Sequence, residues 1–238
     1  MPEADTAAEA RKKQRVVLSW SSGKDSAWSL YQLQQDLDVE LVALLTTFNA
    51  AADRVAMHAV RHQLVTAQAA AADLPLVAVT LPWPCSNADY EAIMSQTLDS
   101  LREDYAPTHI AFGDLYLEDI RDYRLRQMQD TGIGTLFPLW QSDTKALARA
   151  MIDGGLQAVL TCVDPKAMPR ELAGAAFDAN LLTQLPDSVD PCGENGEFHT
   201  FVHAGPMFRN ALPIIVGETL ERDGFVFTDV VPADTDAS

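Results

Sequence analysis

The sequence is poor in basic residues and has no long apolar run. Of its 238 residues, 17 are Lys or Arg and 34 are Asp or Glu, which gives a formal net charge of -17. Because nucleic-acid binding depends on basic side chains that neutralise phosphates, this balance argues against a large nucleic-acid footprint. No apolar run approaches the roughly 20 residues that span a bilayer, and no apolar core follows the basic N-terminal residues. We therefore expect neither membrane association nor a secretory signal.

Cysteine is scarce as well. The three cysteines are Cys85, Cys162 and Cys192, and none of them belongs to a Cys-x-x-Cys pair. An odd number of scattered cysteines predicts no disulfide framework, and the usual Cys/His spacing of a zinc site is missing. These absences indicate a cytoplasmic protein.

Short apolar runs alternate with amphipathic stretches in the first half of the chain. The runs over residues 16–19, 40–48, 76–81 and 108–112 predict strands, and the stretches over 27–37, 55–72 and 87–105 predict helices. This β-α-β-α order predicts an α/β fold with a doubly wound parallel sheet. Ligands of such sheets bind beyond the carboxyl ends of the strands.

The second half is less regular and predicts a smaller α+β domain. Helices are predicted over 118–130 and 143–153, strands over 135–139, 156–163, 212–216 and 224–231, and turns over 186–211. The predicted domains are 14–128 and 129–231, with flexible tails at 1–13 and 232–238.

The turn after the first strand has the features of a phosphate site. It reads Ser21-Ser22-Gly23-Lys24-Asp25-Ser26 and leads directly into a helix, whose N-terminal N–H groups and dipole favour an anion. Gly23 is expected to let the backbone approach the phosphates or to take a positive φ. Lys24 can neutralise phosphate charge, and Asp25 can hold Mg²⁺. The ordinary alternative is a strand-to-helix turn capped by serine. Neither a Walker A nor a dinucleotide-binding glycine pattern is present.

The same turn resembles the PP-loop, Ser-Gly-Gly-x-Asp-Ser, of the ATP pyrophosphatases. Ser22 stands where that group usually has glycine, and a negative φ is expected there. Further segments resemble the diphthine–ammonia ligase (diphthamide synthetase) family of the adenine nucleotide alpha hydrolase-like superfamily, over most of residues 15–216. These segments are Gly113-Asp114-Leu115 with Arg121, Tyr123 and Arg124, then Pro138-Leu139-Trp140, then Cys192-Gly193-Glu194-Asn195-Gly196-Glu197-Phe198-His199-Thr200.

The resemblance implies a HUP-type, Rossmann-like PP-loop domain at 14–128 and a substrate and ammonia site in 129–231. It implies an ATP-dependent ligase that adenylates a carboxylate, forms AMP and pyrophosphate, and amidates the carboxylate with ammonia. The implied cofactors are ATP and Mg²⁺, the metal being held by Asp25 and Asp114. The implied catalytic residues are Lys24, Asp25, Glu194, Glu197 and His199. The residues expected at the nucleotide are Ser21, Ser22, Gly23, Lys24, Asp25, Ser26, Thr46, Thr47, Phe48, Asn49, Gly113, Asp114, Arg121 and Arg124.

Several roles stay open on the residues alone. Arg121 and Arg124 share a helix face and could grip phosphate or a carboxylate, or could belong to a solvated face. The loop that carries Glu194, Glu197 and His199 could bind ammonium, a metal or the acceptor, could supply a general base, or could be an ordinary acidic turn.

The partner and the reaction also leave alternatives. The acceptor is a small-molecule or protein-borne carboxylate, and a homo-oligomer is compatible with the sequence. One alternative is a PP-loop tRNA-modifying or sulfur-transfer enzyme, which the acidic charge and the missing Cys-x-x-Cys pair disfavour. Another is a non-catalytic nucleotide-binding regulatory module, which the intact Lys24-Asp25-Ser26 sequence disfavours. His58, in the predicted second helix, is a further residue that could face the nucleotide.

Overall fold

The computed structural model describes residues 12–55 and 59–233. His58 and most of the two predicted tails, residues 1–11 and 234–238, lie outside the described residues. The chain forms an α/β structure with two sheets, a mostly parallel one and a smaller antiparallel one. This confirms the predicted fold class.

The larger sheet is built from the first half of the chain. Its strands are β1 (Gln14–Ser19), β2 (Val39–Asn49), β3 (Arg54–Val55), β4 (Leu76–Leu81), β5 (His109–Ala111) and β6 (Gly134–Leu136). The parallel strands lie in the order β4, β2, β1, β5, β6, and β3 pairs antiparallel with the last residues of β2. The chain moves outward from β1 first on one side and then on the other, so the topological switch point lies between β1 and β5.

Six α-helices are present in the described part of the chain. They are α1 (Lys24–Gln35), α2 (His62–Ala71), α3 (Asn87–Tyr105), α4 (Glu118–Met128), α5 (Thr144–Asp153) and α6 (Ala179–Gln184), and a 3₁₀ helix covers Arg170–Leu172. Ser86 caps α3, since its hydroxyl accepts a hydrogen bond from the Asp89 N–H at 3.1 Å. None of these helices is both long and apolar enough to cross a membrane.

Alternating side chains of β1 divide the apolar core between the two faces of the larger sheet. Val16 and Leu18 belong to one buried cluster, which α1 and α2 help to build, and Val17 belongs to another, which α3 helps to build. Every one of these three side chains is fully buried. The helices therefore cover both faces, as the near-continuous apolar strands predicted.

The helix predicted over 55–72 is shorter in the structure, and that prediction is wrong at its start. Val55 pairs with Phe48 of β2, and its N–H donates to the carbonyl of Val60 at 2.9 Å. These bonds form a tight connection, and α2 begins only at His62.

The smaller sheet is antiparallel. Its strands are β7 (Gln157–Val163), β8 (Phe198–Ala204), β9 (Ile214–Arg222) and β10 (Phe225–Pro232), in the order β8, β7, β10, β9. Strand β8 lies inside the turn-rich stretch 186–211, where no strand was predicted. Its register is set by pairing with β7, a partner about 40 positions away (Cys162 opposite His199).

Contacts between distant segments hold the two sheets together. The Lys24 N–H at the start of α1 donates to Thr200 Oγ1 at 3.0 Å, and the Val202 N–H donates to the Ser22 carbonyl at 3.0 Å. At another point, Asp229 of β10 accepts hydrogen bonds from Arg54 and Arg61. The bonds of Thr200 and Val202 fix strand β8 against the turn between β1 and α1.

Candidate active site

A cavity of about 990 Å³ opens at the carboxyl ends of β1 and β5. It is lined by the turn before α1, the segment after β5, the loop before β8 and parts of α3 and α4. Among the predicted site residues that line it are Ser21, Lys24, Asp25, Ser26, Thr47, Gly113, Asp114, Arg124, Glu194 and His199. The cavity thus lies at the switch point of the sheet, where ligands of doubly wound folds bind.

The turn before α1 departs from expectation at Ser22. Ser22 has a φ of 72°, whereas a negative value was expected, and Gly23 has a φ of -89°, so it does not use the positive φ open to glycine. Ser22 therefore takes the left-handed conformation itself, which costs roughly 1–2 kcal/mol for a residue with a Cβ. Its side chain is fully buried, and Ser22 Oγ has no hydrogen-bond partner among the described residues.

Gly113 allows the segment after β5 to lie directly against the first turn of α1. A Cβ at this position would stand 3.1 Å from the Asp25 carbonyl carbon and 3.1 Å from the Ser26 nitrogen. Both atoms belong to the backbone and cannot swing aside. A Cβ would therefore crowd this close approach, which glycine allows without any shift, and the contact places Asp114 beside the start of α1.

Lys24 is almost fully buried, with 3% of its surface exposed. Its Nζ lies 2.8 Å from Asp25 Oδ2 and 5.3 Å and 5.9 Å from the ring centroids of Phe198 and Phe177. Burial alone would lower the pKa of Lys24, but its negative neighbours, with Asp25 foremost and Cys192 and Glu194 adding to it, together more than offset this, so its pKa lies above the ordinary value. Lys24 therefore brings a fixed positive charge to the floor of the cavity.

Asp25 and Asp114 present carboxylate oxygens that suit a divalent cation. Asp25 Oδ1 and Asp114 Oδ2 are buried and lack a hydrogen-bond partner within the described part of the chain. Arg124 Nε stands 3.8 Å from Asp114 Oδ2, too far for a hydrogen bond. Burial raises the pKa of Asp114, Arg124 partly opposes this, and the nearby Asp25 raises it further. Two carboxylates, each with an oxygen free to coordinate, are a common protein contribution to a Mg²⁺ site, which is completed by phosphate and water.

No larger metal cluster is present in residues 12–55 and 59–233. No three or more His, Cys, Asp or Glu side chains are grouped there in a way that could hold a metal on their own. The donor set thus fits a metal that shares its coordination with a phosphate ligand, and it does not fit a site built wholly from protein side chains.

Glu194 lies in the loop before β8 and lines the same cavity. Its Oε1 accepts a hydrogen bond from the Leu115 N–H at 2.8 Å, and the Tyr116 N–H lies 3.5 Å away. Burial raises the pKa of Glu194 to about 7, and the Asp25 carboxylate acts in the same direction. A carboxyl group that ionises near neutral pH can give and take protons under cellular conditions.

Glu197 has a different environment from Glu194. It is buried, with 7% of its surface exposed, and its carboxylate accepts hydrogen bonds from the Asp190 N–H, the Asn195 N–H and the Asn195 side chain, each at 3.0 Å. Glu197 is not among the described residues that line the cavity. Its carboxylate organises the loop that presents Glu194, and its predicted catalytic role stays a prediction.

Several residues expected at the nucleotide make other contacts and are not among the described residues that line the cavity. Thr46 Oγ1 donates to the Trp20 carbonyl at 2.8 Å. The Phe48 ring stacks on His62 with centroids 4.1 Å apart, and Asn49 Oδ1 accepts from the Ala51 N–H at 2.8 Å. The Arg121 guanidinium lies 4.9 Å from a Trp140 ring centroid. The nucleotide-binding roles of these four residues stay predictions.

The wall of the cavity that α3 supplies was not predicted from the sequence, and of α4 only Arg124 was predicted there. Tyr90, Glu91 and Met94 of α3 line it together with Tyr123 and Gln127 of α4. The signal was present but weak: only Leu98 and Leu101 of the 19 residues of α3 are buried, fewer than a helix that covers a sheet along its length would bury.

The cysteines offer no activated thiol at this site. Cys162 and Cys192 are buried, and burial raises the pKa of each to about 12. Cys192 Sγ also donates a weak hydrogen bond to the Thr144 carbonyl at 3.4 Å. Such thiols stay protonated at neutral pH and are poor nucleophiles.

Comparison with known proteins gives consistent matches over both halves of the chain. Residues 14–133 match the diphthamide synthase N-terminal domain, and residues 143–228 match the diphthamide synthase C-terminal domain. A protein of Danio rerio named diphthine–ammonia ligase is 28% identical over 237 residues, which cover 91% of this chain and 92% of that protein. A diphthine–ammonia ligase of Schizosaccharomyces pombe is 30% identical over 95 residues, which cover 38% of this chain and 16% of that much longer protein. The N-terminal domain match alone spans half of the sequence, and this chain belongs to the diphthamide synthase family.

Proposed function

We propose that this protein is an ATP-dependent ligase that adenylates a carboxylate and amidates it with ammonia; the Danio rerio relative is named a diphthine–ammonia ligase. The observation that carries the proposal is the meeting, in one cavity, of a helix N-terminus with Lys24, of Asp25 and Asp114, each with a buried oxygen that lacks a hydrogen-bond partner among the described residues, and of Glu194, whose pKa is about 7. In this proposal residues 14–128 bind the nucleotide, and residues 129–231 supply the ammonia and acceptor side.

The turn before α1 is the proposed binding site of the ATP phosphates. The helix dipole, the Ser21 and Ser26 hydroxyls and the Lys24 ammonium all face the same cavity. Asp25 and Asp114 would hold Mg²⁺, which neutralises phosphate charge and makes pyrophosphate a better leaving group. Because Lys24 is fixed by Asp25 and by the two aromatic rings, its charge needs no rearrangement when pyrophosphate charge develops.

Two chemical steps follow from the proposal. In the first, a carboxylate oxygen of the acceptor attacks the α-phosphorus of ATP, and the bond to the bridging oxygen breaks to release pyrophosphate. In the second, ammonia attacks the acyl carbon of the adenylate, and AMP leaves as the amide forms. The protein contributes chiefly by holding the reacting groups together and by placing positive charge where negative charge accumulates.

Ammonia requires a base, because most of it is present as ammonium at neutral pH. Glu194 is the proposed base: it lines the cavity, its Oε1 is held by the Leu115 N–H, and its pKa of about 7 allows it to accept a proton from ammonium. His199 of β8 also lines the cavity and is a second candidate for moving that proton.

The two alternative functions receive less support. A sulfur-transfer enzyme would need a reactive thiol, yet Cys162 and Cys192 are buried with pKa values of about 12. A regulatory module without turnover would not need a carboxyl group that titrates near neutrality beside the phosphate site, as Glu194 does.

The products of ATP cleavage test the proposal. Purified protein is incubated with Mg²⁺-ATP, ammonium and either a diphthine-bearing protein or a pool of small carboxylates, and AMP, pyrophosphate, ADP and phosphate are separated. We expect AMP and pyrophosphate to form, and their formation to depend on both ammonium and an acceptor fraction. ADP and phosphate as products would overturn the proposal. The Asp25→Asn variant should fold but lose Mg²⁺-dependent turnover, and turnover like that of the wild type would remove Asp25 from the site.

A further inference from the structure

Gln68 is a buried polar residue on an otherwise apolar helix face. It lies on α2, whose other buried residues are Leu64, Val65 and Ala69. None of its surface is exposed. Burying an amide group is unfavourable unless its hydrogen-bonding atoms find partners. The reason for a glutamine at this position must therefore lie in what its amide contacts.

The Gln68 amide joins three segments of the chain. Its Oε1 accepts a hydrogen bond from Trp20 Nε1 at 2.9 Å, and its Nε2 donates to the Ser22 carbonyl at 3.0 Å and to the Val202 carbonyl at 2.6 Å. The chemistry of the partners fixes the orientation of the amide, because an indole N–H only donates and a backbone carbonyl only accepts. Both amide hydrogens and the amide oxygen are used.

These three partners surround the phosphate-binding turn. Trp20 and Ser22 flank Ser21, while Val202 lies on β8, two residues after Thr200, which accepts the Lys24 N–H. The Ser22 carbonyl also accepts from the Val202 N–H at 3.0 Å. Ser22 itself has a φ of 72°, and its own hydroxyl has no hydrogen-bond partner in the described segments. The hydrogen bonds that hold Ser22 in this unfavourable conformation thus come from Gln68 and from Val202 of β8.

From this geometry we infer that Gln68 is a positioning residue for ATP binding. It holds the Ser22 carbonyl away from the cavity and clamps the turn to β8, so that the helix N-terminus and Lys24 are in place before the nucleotide arrives. The inference rests on the proposed function in one respect, namely that the ligand of this turn is ATP. It assigns Gln68 no contact with the substrate.

Removal of the amide should loosen the turn without emptying the site of its binding groups. In the Gln68→Leu variant, the buried carbonyls of Ser22 and Val202 lose a donor, and the turn can relax to conformations in which Ser22 leaves the left-handed region. ATP must then select the competent conformation from a mixed population, and its apparent affinity falls by the competent fraction. We expect a fall of about 10- to 100-fold, the scale set by removing a side-chain donor from two buried carbonyls and the acceptor of Trp20 Nε1.

The Gln68→Glu variant gives a conservative rescue that depends on pH. When the introduced carboxyl group is protonated, it could accept from Trp20 Nε1 and donate one hydrogen bond, whereas its ionised form can only accept. The ATP affinity of Gln68→Glu, relative to that of the wild type, should therefore be higher at low pH and fall as pH rises. The ratio for Gln68→Leu should show no such pH dependence. A residue that merely fills space would not produce this difference.

The matched control is Asp229→Asn. Asp229 also joins the two sheets, through Arg54 and Arg61, but contacts neither the turn nor the cavity lining. Its loss should lower stability without changing ATP affinity or the exchange of the turn amides.

Two measurements on the full-length protein decide the matter. Hydrogen exchange of the amides of residues 20–24 in the free protein reports whether Gln68 holds the turn, and calorimetric titration with Mg²⁺-ATP reports affinity. The inference is supported if Gln68→Leu shows both faster exchange and weaker ATP binding while Asp229→Asn shows neither change. Exchange and affinity like those of the wild type in Gln68→Leu would overturn it. If the wild type itself fails to bind ATP, the proposed function falls, and the exchange experiment still decides whether Gln68 holds the turn.

Discussion

Replacing Glu194 by glutamine should make the protein more stable and less active. The glutamine Oε1 can accept the Leu115 N–H as Glu194 Oε1 does at 2.8 Å, so the loop keeps its position. What the variant loses is a negative charge in a partly buried cavity that also contains Asp25, together with the ability to exchange a proton near neutral pH.

The size and sign of the stability effect follow from the pKa of Glu194. Burial raises that pKa from 4.5 to about 7 in the folded protein. Between these values the folded state holds a proton that the unfolded state has released, so the free energy of unfolding falls as pH rises. This loss of stability is absent below pH 4.5 and complete above pH 7. The difference between the two pKa values corresponds to roughly 3 kcal/mol of unfolding free energy as an upper bound.

Urea unfolding at a series of pH values from 5 to 8 measures this effect. We expect the free energy of unfolding of Glu194→Gln to exceed that of the wild type by an amount that is small at pH 5 and grows to as much as about 3 kcal/mol at pH 8. Glu218→Gln, which removes the same charge from the exposed strand β9, is the control and should show no such growth. The ammonia-dependent step should be suppressed in Glu194→Gln, while ATP still binds.

A stability difference that stays constant from pH 5 to pH 8 would refute this reasoning, because it would mean that Glu194 does not titrate in that range. Normal amidation by the variant would remove Glu194 from the proton transfer even if the stability result held.

Other substitutions test the geometry of the turn and of the acidic loop. Gly113→Ala should destabilise the fold by about 1–3 kcal/mol and weaken ATP binding, because its Cβ would press on the backbone at the start of α1. Gly217→Ala on exposed β9, whose Cβ would also lie close to backbone, 3.3 Å from the Asp229 carbonyl oxygen, is its control in the same melting and titration experiments and should leave ATP binding unchanged. Ser22→Gly should raise the free energy of unfolding by about 1 kcal/mol and leave ATP turnover unchanged, and a loss of stability would show that the left-handed conformation is not adopted. Glu197→Gln should destabilise by about 1–3 kcal/mol in urea unfolding, because its amide turns a donor toward an N–H that needs an acceptor, such as that of Asn195; unchanged stability would contradict the loop role assigned to Glu197.

Where local chemistry marks an element, the sequence predicted it well. Strand β4 and helix α3 have the predicted bounds, 76–81 and 87–105, because Pro75 ends the preceding segment and Ser86 caps the helix. The phosphate turn and Gly113-Asp114 were predicted to meet because both follow parallel strands, whose carboxyl ends share one edge of the sheet.

Features that depend on distant partners could not be predicted. Strand β8 is flanked by glycines and becomes a strand by pairing with β7. Ser22 takes its left-handed conformation while its carbonyl accepts hydrogen bonds from Gln68 on α2 and from Val202 on β8. Neither donor is near Ser22 in sequence. In the same way, Glu194 and Glu197 have different environments because only Glu194 reaches the N–H groups after β5. The Glu197 carboxylate instead accepts hydrogen bonds from residues of its own loop, such as Asp190.

The hydrogen bond from Lys24 to Thr200 joins residues 176 positions apart, which has a consequence for synthesis on the ribosome. The turn before α1 is translated before β8, which holds it. A nascent chain that has not reached β8 therefore carries the proposed phosphate turn without the strand that fixes its shape. We expect such fragments to leave cellular ATP untouched, so that the proposed cleavage of ATP requires the same late segment that supplies Glu194.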